Sequence, residues 1–145
     1  MFIGQHPSSL NKNNRVNIPA SYAMLLDEGA VITQGFDRNI QVYTKAAFSE
    51  IAIIVRRLNL ADPLARALQR MLLGNASLLK INAAGAINLP TGLKEYAGLE
   101  AKIVLVGQGD FFEIWSQAMW DPQEISIKDA ETNSRRFAHM NLSRF

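Results

Sequence analysis

The sequence predicts an α+β protein built from two tandem copies of one unit, each with mainly antiparallel strands, joined by a helical segment. Three observations predict it. The chain matches itself at a fixed offset. Apolar residues alternate on either side of polar turns. No strand–helix–strand crossover is long enough to close a parallel sheet.

The offset is 71 residues. Leu10-Asn11-Lys12-Asn13-Asn14-Arg15-Val16-Asn17-Ile18-Pro19 falls on Ile81-Asn82-Ala83-Ala84-Gly85-Ala86-Ile87-Asn88-Leu89-Pro90, with Asn11/Asn82, Asn17/Asn88 and Pro19/Pro90 identical. After a one-residue slip, Val31-Ile32-Thr33-Gln34-Gly35 falls on Ile103-Val104-Leu105-Val106-Gly107. Ile40-Gln41-Val42-Tyr43 falls on Phe112-Glu113-Ile114-Trp115, and Phe48 on Trp120. The expected segments are a first unit at 1–50, a helical connector at 51–75, a second unit at 76–122 and a tail at 123–145.

Within a unit, a strand ends near Asn11, a polar turn follows, and the chain returns through Val16 and Ile18, which alternate with Arg15 and Asn17 as in a half-buried strand. Asn14 stands where its counterpart is Gly85, and these residue types enter the left-handed conformation of a tight hairpin most easily. Pro19 suits a strand end leading into a short helix near 21–26, and the counterpart helix near 93–97 is closed by Gly98. Two apolar runs, 30–34 and 40–43, flank a turn at 35–39, and the counterpart turn is Gly107-Gln108-Gly109-Asp110.

Between the units, Phe48, Ile51, Ala52, Val55 and Leu58 recur at helical spacing. Asp62-Pro63 reads as an N-cap with proline in the first turn of a second helix, whose expected apolar face is Leu64, Leu68, Met71 and Leu72 and which Gly74-Asn75 ends. Arg66 and Arg70 lie on a neighbouring face, either solvated, ion-paired or at a subunit contact. In the tail, Asp121-Pro122 is expected to break any element. Beyond it, Arg135, Arg136, His139 and Arg144 lie among Phe137, Met140, Leu142 and Phe145, as a solvated or frayed helix or as a contact with DNA or a neighbouring subunit.

Composition narrows the function. Of 145 residues, 48% are apolar and 19% charged, as in a globular chain of one domain or two small ones. Fifteen Lys+Arg against 13 Asp+Glu give a net charge of only +2, which implies no partner by itself. The two sides of the chain differ: residues 1–72 hold 8 basic and 5 acidic side chains, residues 73–145 hold 7 and 8. With no cysteine, thiol catalysis, iron–sulfur ligation and Cys-ligated zinc are excluded. His6 and His139 stand near opposite ends and form no local metal motif. Gly107-Gln108-Gly109 starts like a dinucleotide fingerprint but meets Phe112 where the third glycine belongs, and Asp37 and Asp110 read as turn residues. No nucleophile elbow or Walker A sequence is present, so no catalytic residue is assigned, and no enzyme, cofactor, metal or small-molecule substrate is expected. No apolar run is long enough to span a bilayer and no basic-then-apolar start marks a secretory signal, so a soluble cytoplasmic protein without a membrane partner is expected.

The motif at 10–19 resembles the signature of the MraZ family, a repeat built on D-x-K-G-R-x-x-I/L-P. The opening Met1-Phe2-Ile3-Gly4, the Arg66/Arg70 pair and the run 103–115 are similar to the family as well. The resemblance covers residues 1 to about 122. It implies two units of the AbrB-like superfamily, each a swapped-hairpin or double-split β-barrel. It also implies a nucleoid-associated transcriptional regulator, expected to be a repressor. That regulator would bind double-stranded DNA as a ring-shaped homo-oligomer, at direct repeats in the promoter of the division and cell-wall gene cluster. The DNA-facing element would be the hairpin loop, with Lys12 and Arg15 making the contact and Asn13 and Asn14 shaping the turn. The second-unit equivalents are Asn82, Gly85 and Ala86. Two departures stand out. The signature Asp is Asn11 in one loop and Asn82 in the other, keeping one acceptor but no carboxylate for Arg15, and the signature Arg is Ala86 in the second loop. The alternative is an oligomeric scaffold or interaction protein of the same fold with weakened DNA binding.

Overall fold

The computed structural model describes residues 1–142; Ser143, Arg144 and Phe145, and with them the tail expectations for Arg144 and Phe145, lie outside the described residues. In chain order the elements are β1 (Gln5–Ser9), β2 (Arg15–Asn17), α1 (Ala20–Leu25), β3 (Ala30–Gln34), β4 (Ile40–Thr44), α2 (Lys45–Arg56) and α3 (Pro63–Leu72). They continue as β5 (Ser77–Leu79), β6 (Ala86–Asn88), α4 (Thr91–Tyr96), β7 (Lys102–Gly107), β8 (Phe111–Ser116), α5 (Gln117–Ile127) and α6 (Ala130–Arg136). The α+β class holds, and the ladders between these strands are all antiparallel. Among the described residues no helix is long and apolar enough to cross a membrane.

The halves are interleaved. Six strands form one sheet in the order β1-β7-β8-β4-β3-β5, and β2 and β6 form a separate two-stranded ladder. The first strand of each half pairs with the third strand of the other, β1 with β7 and β5 with β3. The central contacts also join the halves, β4 to β8 and β2 to β6. The sequence pattern suggests that each half folds back on itself as a hairpin. In fact the arms of the first hairpin diverge after a single bridge, Leu10 to Val16, because β1 and β2 find their partners in different ladders.

One core results. Val16, Ile18, Ile32, Ile40 and Val42 from the first half are buried together with Ile87, Leu89, Leu105, Phe112 and Ile114 from the second. Phe2 packs edge-on against Tyr22 with centroids 5.1 Å apart and meets Phe112 at 5.3 Å. Burying such a side chain stabilises by about 1.5–3 kcal/mol, which a single short unit could not collect alone. The opposite face of the sheet is covered by helices. The Thr33 hydroxyl donates to the Leu72 carbonyl at 2.6 Å, which fixes the end of α3 on β3. Val104, Val106, Trp115 and Trp120 form a second cluster beneath α5.

Two local expectations are corrected. Leu64 is 78% exposed; of the expected stripe Leu72 is buried and Leu68 and Met71 are half-buried, and Ala65 takes the place that Leu64 was expected to fill. Pro122 does not end an element but sits inside α5. The helix continues because the Ser116 side chain accepts the Met119 N–H at its start, a Gln117–Asp121 hydrogen bond holds the turn before the proline, and a Trp120–Glu124 hydrogen bond spans it. The carbonyl that Pro122 leaves unpaired, four residues back, belongs to Ala118, an exposed residue that water can reach.

The N-terminal segment is held by close approach. The Gly107 N–H donates to the Gly4 carbonyl at 2.9 Å, and a Cβ on Gly107 would fall 2.5 Å from the Ile3 backbone. Gly107→Ala is therefore expected to displace the segment that carries Phe2 and to lower stability by about 1–3 kcal/mol in urea unfolding. Gly92, in α4, has nothing within 4 Å of its would-be Cβ. Gly92→Ala is expected to stabilise by up to ~1 kcal/mol in the same assay.

Candidate nucleic-acid interface

The loop at 11–15 is built by one side chain. Asn11 Oδ1 accepts the N–H of Asn13 at 2.9 Å and of Arg15 at 3.0 Å. The Asn14 N–H donates to the Asn11 carbonyl at 3.1 Å, and Asn14 takes φ 59°, the left-handed conformation expected of it. Lys12, Asn13 and Arg15 are left exposed.

The loop at 82–86 repeats this geometry. Asn82 Oδ1 accepts from Ala84 and Ala86, both at 3.0 Å, the Gly85 N–H reaches the Asn82 carbonyl at 3.0 Å, and Gly85 has φ 78°. The sequence assigned one hydrogen bond to Asn in place of the signature Asp, whereas each Asn accepts two. The Asp-to-Asn exchange therefore leaves the turn intact, because a side-chain amide oxygen has two lone pairs. The loops differ in what they present. Lys12, Asn13, Asn14 and Arg15 stand opposite Ala83, Ala84, Gly85 and Ala86, so the second loop offers no side-chain donor between Asn82 and β6.

The β2–β6 ladder holds each loop against the other half. Arg15 pairs in register with Asn88, Val16 with Ile87 and Asn17 with Ala86. Past its ends, the Leu89 N–H donates to the Asn14 carbonyl at 2.8 Å and the Ile18 N–H to the Gly85 carbonyl at 2.9 Å. Arg15 Nε donates to Asn88 Oδ1 at 3.2 Å, which orients the guanidinium while leaving the rest of its N–H fork for another acceptor. Among the described residues the one ion pair is Lys128–Glu124 at 2.7 Å, so neither Lys12 nor Arg15 has a carboxylate partner.

Sequence reasoning missed Lys94. It lies on α4, and its ammonium donates to Asn14 Oδ1 at 2.9 Å across 80 residues of sequence. Its counterpart in the first half is Ala23, so the repeat gave no hint of it. The usable signal was topological. Once Leu89 bonds Asn14, a helix that begins two residues later must lie over the first loop.

His6 sits 4.8 Å from the Tyr22 ring with Nε2 at 3.2 Å from the Ile3 carbonyl. Arg66 Nη1 donates to the Leu60 carbonyl at 2.8 Å and has no carboxylate partner among the described residues, nor has Arg70. In the tail, Arg136 bonds Ser126 and Asn133 and lies over the Phe137 ring. No group of three or more His, Asp or Glu able to hold a metal occurs among the described residues.

One carboxyl is half-buried on the sheet. Glu113 accepts Asn39 Nδ2 at 2.8 Å, Trp115 Nε1 at 3.0 Å and Gln108 Nε2 at 3.2 Å. Burial still pushes it above the usual carboxylate range, against the lowering effect of those donors. Burial, with the Glu113 charge added, also pushes the Tyr43 hydroxyl up to about 12.

The model of the family described as "MraZ protein, putative antitoxin-like" matches the chain twice, over residues 1–71 and 72–141. The chain is 36% identical over 129 residues to a protein named transcriptional regulator MraZ from Herpetosiphon aurantiacus, covering 89% of this chain and 90% of that one. It is 35% identical over 133 residues to the protein of the same name from Roseiflexus castenholzii, covering 92% of each. The Thermomicrobium roseum protein, named likewise, is 32% identical over 139 residues, 95% of this chain and 98% of that one.

Two outcomes follow from the geometry. Asn11→Ala and Asn82→Ala each remove two accepted N–H bonds, each from its own turn. Both are expected to cost about 1–2 kcal/mol in urea unfolding, while Asn11→Asp stays near the parent. Because the folded Glu113 holds its proton more tightly than the unfolded chain does, its contribution is fully present below the ordinary carboxylate value and is lost as pH rises through the raised one. Glu113→Gln removes that dependence. The stability difference, parent minus variant, is expected to fall as pH rises above the ordinary carboxylate value, and a flat difference would contradict it.

Proposed function

The chain belongs to the MraZ family, and we propose that it is a sequence-specific DNA-binding transcriptional regulator that contacts DNA through the loop at 11–15. The observation that carries this reading is the pair Lys12 and Arg15. Both are exposed, free of carboxylate partners among the described residues, and mounted on a turn fixed by four hydrogen bonds. Lysine suits a phosphate as a point charge. Arginine, oriented here by Asn88, suits a phosphate or the two acceptors of guanine in the major groove. The exchange of β1 and β5 between halves supports reading the fold as a swapped-hairpin or double-split barrel of the AbrB-like superfamily.

Two cations per chain bind weakly alone. A ring that presents several copies along one DNA face gains from effective concentration, which makes direct repeats the natural target. The site proposed is the promoter of the division and cell-wall gene cluster, with repression as the outcome and a cytoplasmic, nucleoid-associated location. The chemistry calls for no cofactor or metal. The bare second loop, Ala83 to Ala86, favours one other reading, an oligomeric scaffold with weakened DNA binding.

A gel-shift series on a promoter duplex with direct repeats separates them. Arg15→Ala is expected to weaken binding and to lower the salt slope by ~0.9 for each phosphate it no longer neutralises. Binding equal to the parent with the same slope would overturn the DNA reading. Ala86 stands opposite Asn17 as Arg15 stands opposite Asn88, but it is buried where Arg15 is exposed. Ala86→Arg, with its fold checked by a thermal melt, is expected to raise affinity by bringing its guanidinium out to solvent beside the second loop. No gain would mean that the second loop faces away from DNA.

A further inference from the structure

We propose that Lys94, from the second half of the chain, is a third cation of the first loop's contact surface, where it binds a DNA phosphate while bracing Asn14. The inference rests on the DNA reading above and adds a residue that the family signature at 10–19 does not contain.

Three observations support it. The first is the hydrogen bond from the Lys94 ammonium to Asn14 Oδ1 at 2.9 Å, which sets a positive charge beside the residue preceding Arg15. The second is that this bond uses one of three N–H donors, and no carboxylate neutralises the ammonium among the described residues. The third is that α4 is clamped over the first half at two points. Besides Lys94, Tyr96 Oη donates to the Gly35 carbonyl at 2.8 Å and accepts the Arg38 N–H at 3.2 Å. The counterparts of Lys94 and Tyr96 on α1 are Ala23 and Leu25, which have no side-chain donor to offer the second loop. The interleaved fold thus adds a cation to the loop that already has two and none to the loop that has lost its arginine. The backbone is two-fold in character, but the charge is one-sided.

A phosphate is the partner that fits. Lys94 as a residue is half-buried, and its ammonium meets Asn14 in a polar turn whose next residue, Arg15, is exposed. A lysine there adds affinity without base preference. Phosphate contact differs from bracing in its salt dependence. Lys94→Gln removes the charge but keeps an amide donor for Asn14, whereas Lys94→Arg keeps the charge.

The test is a titration of the direct-repeat promoter duplex at several salt concentrations with the full chain and its Lys94→Gln, Lys94→Arg and Arg15→Ala variants. Thermal melts and light scattering on each variant check fold and assembly. Lys94→Gln is expected to bind several-fold more weakly with a salt slope lower by ~0.9 per engaged copy, and Lys94→Arg to keep the parental slope. Parental affinity and slope for Lys94→Gln, with Arg15→Ala weakened, would overturn the role of Lys94 alone. Parental behaviour of Arg15→Ala as well would overturn the DNA reading itself.

Discussion

The three-residue ladder between β2 and β6 is the contact on which the rest depends. Each of its strands leaves one loop and enters one short helix, and its outermost bonds run from Leu89 to Asn14 and from Ile18 to Gly85. Neither loop is finished by its own half. Val16 and Ile87, fully buried beneath it, tie the ladder to the common core. The exchange of β1 and β5 has the same logic. Each half leaves an open strand edge that the other covers, so the interleaved chain buries what separate units would expose.

The same constraint explains how two loops of equal backbone come to differ in what they can bind. Asn11 and Asn82 accept equivalent pairs of N–H groups, and Asn14 and Gly85 share a left-handed turn conformation. What changes is the decoration. Lys12 and Arg15 remain on one turn, alanines replace them on the other, and α4 brings Lys94 to the first. The weak net charge of +2 hides this separation, since it averages a basic first loop with a second one that has none of its cations. In the proposed function, affinity then comes from several copies of one charged loop rather than from two loops per copy.

Much of this was legible in the sequence because it is local. The offset of 71 revealed the two units, the alternation of Arg15-Val16-Asn17-Ile18 marked β2, and Asn14 opposite Gly85 marked the left-handed turn. What was not legible is non-local. The repeat says that a strand ends near Asn11 but not which edge it joins, so the exchange of β1 and β5 between halves was invisible. Lys94 lies 80 residues from Asn14, with no cation at its repeat counterpart. The errors in the helices were of another kind. Leu64 fitted an apolar stripe but falls on the solvent side, and Pro122 reads as a breaker in isolation although Ser116, Trp120 and Glu124 hold α5 together around it. The absent carboxylate at Asn11 mattered less than the sequence suggested, because an amide oxygen serves the same two N–H groups.

Lysine footprinting tests the proposed DNA-facing surface most directly. The assembled protein is acylated with and without direct-repeat promoter DNA, and modification is read at each lysine by mass spectrometry. Protection is predicted at Lys12 and Lys94, while Lys45, Lys80, Lys102 and Lys128 stay as reactive as in the free protein. Unchanged reactivity of Lys12 in the complex would contradict the assignment of the first loop to DNA.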